Sequence, residues 1–195
     1  MGTLMSPPSC KFNGDLDSKS WTGKVKFCAE SSETNGSVTR DVAITCVADK
    51  AHSELMKCID PKEEIRIISV YKVPLQSSPK MSSSLFHEFL VLATNRCYWS
   101  FERNAKEIVI QRGKKLNNVK SWCGERQRKA EQKEDFSKSV RLNMGDFVAY
   151  LHREEILNTP YNLIAANCQH FAEEIFNYIA RSETRSSRNR TSVDK

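Results

Sequence analysis

The chain has 195 residues, with 30 Lys and Arg against 24 Asp and Glu, for a formal net charge of +6. That length suits one domain with tails. Part of the surplus is local: residues 181–195, "RSETRSSRNRTSVDK", hold five basic residues among Ser, Thr and Asn, without an apolar period. They read as a basic disordered tail with weak attraction to acidic surfaces. No aromatic residue interleaves with the charge, which argues against a specific nucleic-acid site.

The N-terminus, "MGTLMSPPSCKFNGDLD", has neither a signal-peptide core nor an apolar span of about 18 residues. Met1-Gly2 followed by Ser6 fits a loose myristoylation pattern. Residues 1–40 are rich in Ser, Thr, Gly and Asn and read as a flexible or loop-rich segment, with one strand near "GKVKFCAE". "RDVAITCVA" is a short β-branched run. "ADKAHSELMKCI" predicts one or two helical turns ended by Asp60-Pro61. "EEIRIISVYKVPL" predicts a strand closed by Pro74, and "QSSPKMSSS" a loop.

Three strands are expected at about 86–94, 97–103 and 107–112, turning at Asn95-Arg96 and Asn104-Ala105. Residues 114–139 are highly charged and read as a helix polar on all sides or as a flexible insertion. "NMGDFVAYLHREEIL" predicts an amphipathic helix capped by Asn143, and Thr159-Pro160 breaks it. A last helix runs from about Asn167 to Arg181.

The seven cysteines are scattered and odd in number, without a C-x-x-C pair. This argues for free thiols in a reducing, cytoplasmic compartment. Cys168 is distinctive by position. Phe171, Ala172, Ile175, Phe176 and Ile179 follow it at helical spacing, so the thiol shares the buried face of the last helix. A helix N-terminus stabilises a thiolate, and its unpaired N–H groups suit an oxyanion. His170, two residues on, faces away. C-x-H on one turn points its ligands apart, so no metal site is expected.

The base must come from another element. His87 begins the best strand and shares a face with Phe89, Val91 and Ala93. It meets Cys168 if the last helix packs on that face. A two-residue turn at Asn95-Arg96 pairs Ala93 with Tyr98, Val91 with Ser100, Phe89 with Glu102 and His87 with Asn104. Glu102 or Asn104 would then accept the Nδ1 proton of His87, with Gln111 as a further polar candidate. A slip of one residue would turn all of these away.

Asn167-Cys168-Gln169-His170-Phe171 resembles the NCxHF motif of the lecithin:retinol acyltransferase-like proteins. A similar Asn-Cys-x-x-Phe context occurs in PPPDE-type isopeptidases. Both belong to the NlpC-like, circularly permuted branch of the papain-like fold, where the histidine strand precedes the cysteine helix. The resemblance covers residues 61–181 or so. It implies a nucleophile at Cys168, a base at His87 and no cofactor. Three features depart from the pattern. "CYWSFERN" lacks the second histidine, His87-Glu88-Phe89 replaces a His-Tyr-Gly-type entry, and a basic tail stands where many members carry a hydrophobic anchor.

The expectation is an α+β domain over residues 41–181, permuted papain-like, with an antiparallel sheet at about 64–112 packed against the C-terminal helix. Residues 1–40 and 182–195 would flank it. The expected function is a cysteine-dependent thiol hydrolase or acyltransferase, forming an acyl-enzyme with a peptide, isopeptide or lipid ester. Two alternatives stay open: a catalytically inactive binding module that retains the fold, and an adaptor acting through its charged segments.

Overall fold

Alternating Val, Ile and aromatic runs build most of the regular structure, and that alternation decides which side chains are buried. The computed structural model describes residues 21–34, 37–74, 86–123 and 126–190. Its strands are β1 (Lys24–Thr34), β2 (Ser37–Val47), β3 (Glu64–Pro74), β4 (Phe86–Thr94), β5 (Tyr98–Arg103), β6 (Glu107–Gly113), β7 (Trp122–Cys123), β8 (Arg126–Gln127) and β9 (Glu131–Asn143). Its helices are α1 (Ala48–Cys58), α2 (Leu116–Lys120), α3 (Met144–Arg153) and α4 (Cys168–Arg190).

Seven strands form one mixed sheet in the order β2-β1-β6-β5-β4-β3-β9, and β7 pairs with β8 apart from it. The α+β class is as expected, but the sheet is neither purely antiparallel nor confined to 64–112. β1 runs parallel to β6, from Lys24↔Glu107 to Ala29↔Arg112. A parallel pair joins segments far apart in sequence, so no local turn announces it. β1 and β2 also occupy much of the segment read as loop; Val25 and Phe27 alternate into the core. Residues 1–20, with the myristoylation pattern, and the expected loop at 76–84 lie outside the described residues.

The charged segment 114–139 is neither a long helix nor an insertion. It contributes α2, the β7–β8 hairpin and most of β9, an edge strand whose outer side tolerates charge. Asp135, at φ 62°, sits where the β3–β9 register jumps between Ser69↔Ser137 and Tyr71↔Gln132. α4 runs on to Arg190 through residues expected to be disordered; "RSETRSSRNR" contains no Gly or Pro to stop it.

The two faces of the sheet are covered differently. On one, Leu90, Leu92, Trp99, Phe101, Ile108 and Ile110 join residues of α1, α3 and α4 in the main core. Phe171, Ala172, Ile175, Phe176 and Ile179 of α4 are all buried there, as their spacing predicts. Fully burying each large apolar side chain contributes roughly 1.5–3 kcal/mol. On the other face Tyr71, Phe89 and Val91 pack on Val119 of α2. Asn143 caps α3, its Oδ1 accepting from the Asp146 amide at 2.8 Å. Gly145 is required by close approach: a Cβ there would lie 3.0 Å from Pro61 Cβ. Among the described residues the cysteines are free thiols, and no helix is long and apolar enough to cross a membrane.

Candidate active site

The site forms where β5 leaves β4. Their hairpin closes with Thr94 N donating to Cys97 O at 2.9 Å, and pairing runs from Ala93↔Tyr98 to Leu90↔Phe101. There it stops, while β4 stays paired with β3 through Lys72↔Glu88, Val73↔His87 and Pro74↔Phe86. Antiparallel bonding alternates, so the β4 residues that face β5 are 94, 92, 90, 88 and 86. Glu88 and Phe86 therefore turn unpaired backbone groups toward the gap. The N-terminus of α4 docks on them. The Glu88 amide lies near enough to the Cys168 thiol to favour its charged form, and Gln169 Nε2 lies 3.4 Å from Phe86 O.

The cap on α4 comes from Asn167. Its Oδ1 accepts from the amides of Gln169 at 2.9 Å and His170 at 3.1 Å, and it lies 2.8 Å from His170 Nδ1. Its Nδ2 donates to Leu163 O at 2.8 Å. His170 is exposed and belongs to this cap, not to the thiol. The Phe171 amide bonds to Asn167 O at 3.1 Å. Of the first-turn amides expected to be free for an oxyanion, three are thus occupied; among the described residues only the Cys168 amide is left.

His87 and Cys168 do meet, but not by the expected route. α4 packs on the face of Leu90 and Leu92, whereas His87 projects with Phe89 and Val91 to the other side. They reach each other at the open end of β4, where the missing β5 partner leaves passage between the faces. His87 lies close enough to the thiol for each to shift the other's protonation. Its Nε2 lies 2.7 Å from Glu102 Oε1, which leaves Nδ1 for Cys168. The ring is therefore turned relative to the expectation that Glu102 or Asn104 would take the Nδ1 proton.

Glu102 is the group that orients His87, and Asn104 is not. Asn104 Oδ1 accepts from the amides of Lys106 at 2.8 Å and Glu107 at 3.0 Å, so its side chain closes the β5–β6 turn. The ladder ends before a His87↔Asn104 pair could form. Gln111 is buried on the same face but donates to Ser100 Oγ and Trp122 O. His52 and His152 stack on each other at 4.7 Å, away from the site.

Three contributors were not legible in the sequence. Arg128 reaches Glu102 Oε2 through Nη1. Cys123 lies close enough to the same carboxylate to be raised by its charge. Tyr161 is buried close enough to Cys168 to feel its charge. Arg128 is one of several cations in "GERQRKAEQK", and nothing local distinguishes it.

The electrostatics favour a charged pair. Burial disfavours the Glu102 carboxylate, but Arg128 and then His87 outweigh it and hold the acid well below its usual range. Burial likewise disfavours the His87 imidazolium; Glu102 and the nearby Cys168 more than reverse this and push His87 up. The Cys168 thiol is raised by burial and by the Glu88 charge, yet the nearby His87 with its charge and the Glu88 amide bring it below its ordinary value. Burial and the Glu102 charge raise Cys123, so that thiol stays protonated. The group is well enclosed: Cys168 is 7% exposed and the His87 side chain 12%.

No family model, curated protein or solved structure matches this chain.

Proposed function

We propose that the protein is a cysteine-dependent hydrolase or acyltransferase, built on a permuted papain-like plan with the histidine strand before the cysteine helix. The observation that carries the reading is His87 hydrogen-bonded to Glu102 and electrostatically coupled to the Cys168 thiol at the open end of β4. Nucleophile, base and orienting acid stand in one chain of contacts. The Cys168 thiolate attacks an acyl carbonyl carbon and forms a C–S bond. The Cys168 amide faces the developing oxyanion. Collapse breaks the bond to the leaving group, which takes its proton from His87. Water or an amine then attacks the thioester with His87 as base, regenerating the thiol. The acyl donor is a peptide, isopeptide or lipid ester.

The test uses p-nitrophenyl acetate and mass spectrometry of the intact chain. A transient acetyl adduct on Cys168, absent in Cys168→Ala and strongly slowed in His87→Ala, is the expected result. A stable, ordinary thiol indifferent to His87 would overturn the reading in favour of a binding module that keeps the fold.

A further inference from the structure

His87 and Glu102 share one proton along a 2.7 Å hydrogen bond. It can rest on the imidazole, leaving an ion pair, or on the carboxylate, leaving two neutral groups. Burial favours the neutral pair, because separated charges are costly away from water. A neutral imidazole gives no charge to stabilise a thiolate. The outcome therefore depends on what else faces Glu102.

Arg128 faces it, and it is permanently charged. Its side chain is 5% exposed. Nη2 donates to Val119 O at 3.0 Å, Nε to Lys120 O at 3.0 Å, and its amide to Ser121 O at 2.8 Å. The guanidinium lies 3.5 Å from the centre of the Phe89 ring. These contacts leave Nη1 aimed at Glu102 Oε2. The remaining titratable neighbours are weaker influences. Cys123 of β7, raised by burial and by the Glu102 charge, stays protonated, with Cys28 of β1 beyond it; Cys168 of α4 and Glu88 of β4 act from the far side of His87.

We propose that Arg128 is a positioning residue that keeps the shared proton on His87, so that the Cys168 thiolate exists in the resting protein. It acts through Glu102 and never touches the reacting atoms. The inference rests on the proposed function, because it assigns Arg128 a part in arming that same thiol.

The test is the pH profile of Cys168 alkylation by iodoacetamide, read by mass spectrometry, with the 15N shifts of the His87 ring as a second readout. Arg128→Met should raise the alkylation midpoint by about one pH unit or more, a tenfold loss of thiolate at a fixed lower pH. The His87 ring nitrogens should change from imidazolium to neutral values near neutrality. In a Glu102→Gln background, Arg128→Met should move neither readout further. An unchanged midpoint in folded Arg128→Met, beside a shifted one in His87→Ala, would overturn the inference and leave the proposed function standing. No shift in either variant would remove both. Should Arg128→Met fail to fold, the Glu102→Gln/Arg128→Met pair lacks both buried charges and still decides: a midpoint differing from that of Glu102→Gln would show that Arg128 acts by another path.

Discussion

Glu102 divides its two carboxylate oxygens between His87, at 2.7 Å on Oε1, and Arg128 on Oε2. One buried anion thus joins the strand histidine to a cation from the segment between β8 and β9. Breaking one half of a buried pair leaves the other charge uncompensated, which typically costs 3–5 kcal/mol. Glu102→Gln is therefore expected to lower the unfolding free energy by roughly 3 kcal/mol in urea titrations. Adding Arg128→Met should recover at least half of that loss, since no unpaired cation remains.

The pH dependence of stability separates the thiol from the imidazole. His87 is raised in the fold, so its contribution is present below its unfolded value of about 6.5 and lost as pH rises through the folded value. Cys168 is lowered, so its contribution is present above its unfolded value of about 8.5 and lost as pH falls through the folded one. Above the folded value of Cys168 and below about 8.5 the two slopes oppose each other. Cys168→Ala removes one of them. Its stability should fall with rising pH in that window, by up to about 1.4 kcal/mol per unit, while the wild type stays flatter. Equal slopes in denaturant titrations across this range would contradict the charged pair.

Asn167 holds the first turn of α4 through the amides of Gln169 and His170 and the His170 ring, and anchors it to Leu163 O. Asn167→Ala should cost about 1 kcal/mol, as loss of an N-cap does. It also frees the turn that aims Cys168 at the gap beside Glu88. Slower alkylation of Cys168 should therefore accompany the lower melting temperature. A stability loss with an unaltered alkylation rate would restrict Asn167 to capping.

The sequence alone determined the parts that obey local periodicity. The spacing from Cys168 to Ile179 specifies the buried face of α4, because a helix repeats every 3.6 residues. Asn143 before α3 and the β-branched and aromatic runs of β3 to β6 are likewise read from their own neighbours. The turn at Asn95-Arg96 brought Ala93 opposite Tyr98 and Val91 opposite Ser100, and so placed Glu102 on the His87 face. What only the tertiary structure decided lies between distant segments. The parallel β1–β6 pair, the edge position of β9 and the end of the β4–β5 ladder at Leu90 have no local signature. That early end gives Cys168 its path to His87 from the opposite face, turns Nε2 toward Glu102 and leaves Asn104 to its own turn. Arg128 reaches Glu102 only because the segment after β8 lays its guanidinium over Phe89, a long-range packing choice that no pattern within "GERQRKAEQK" encodes.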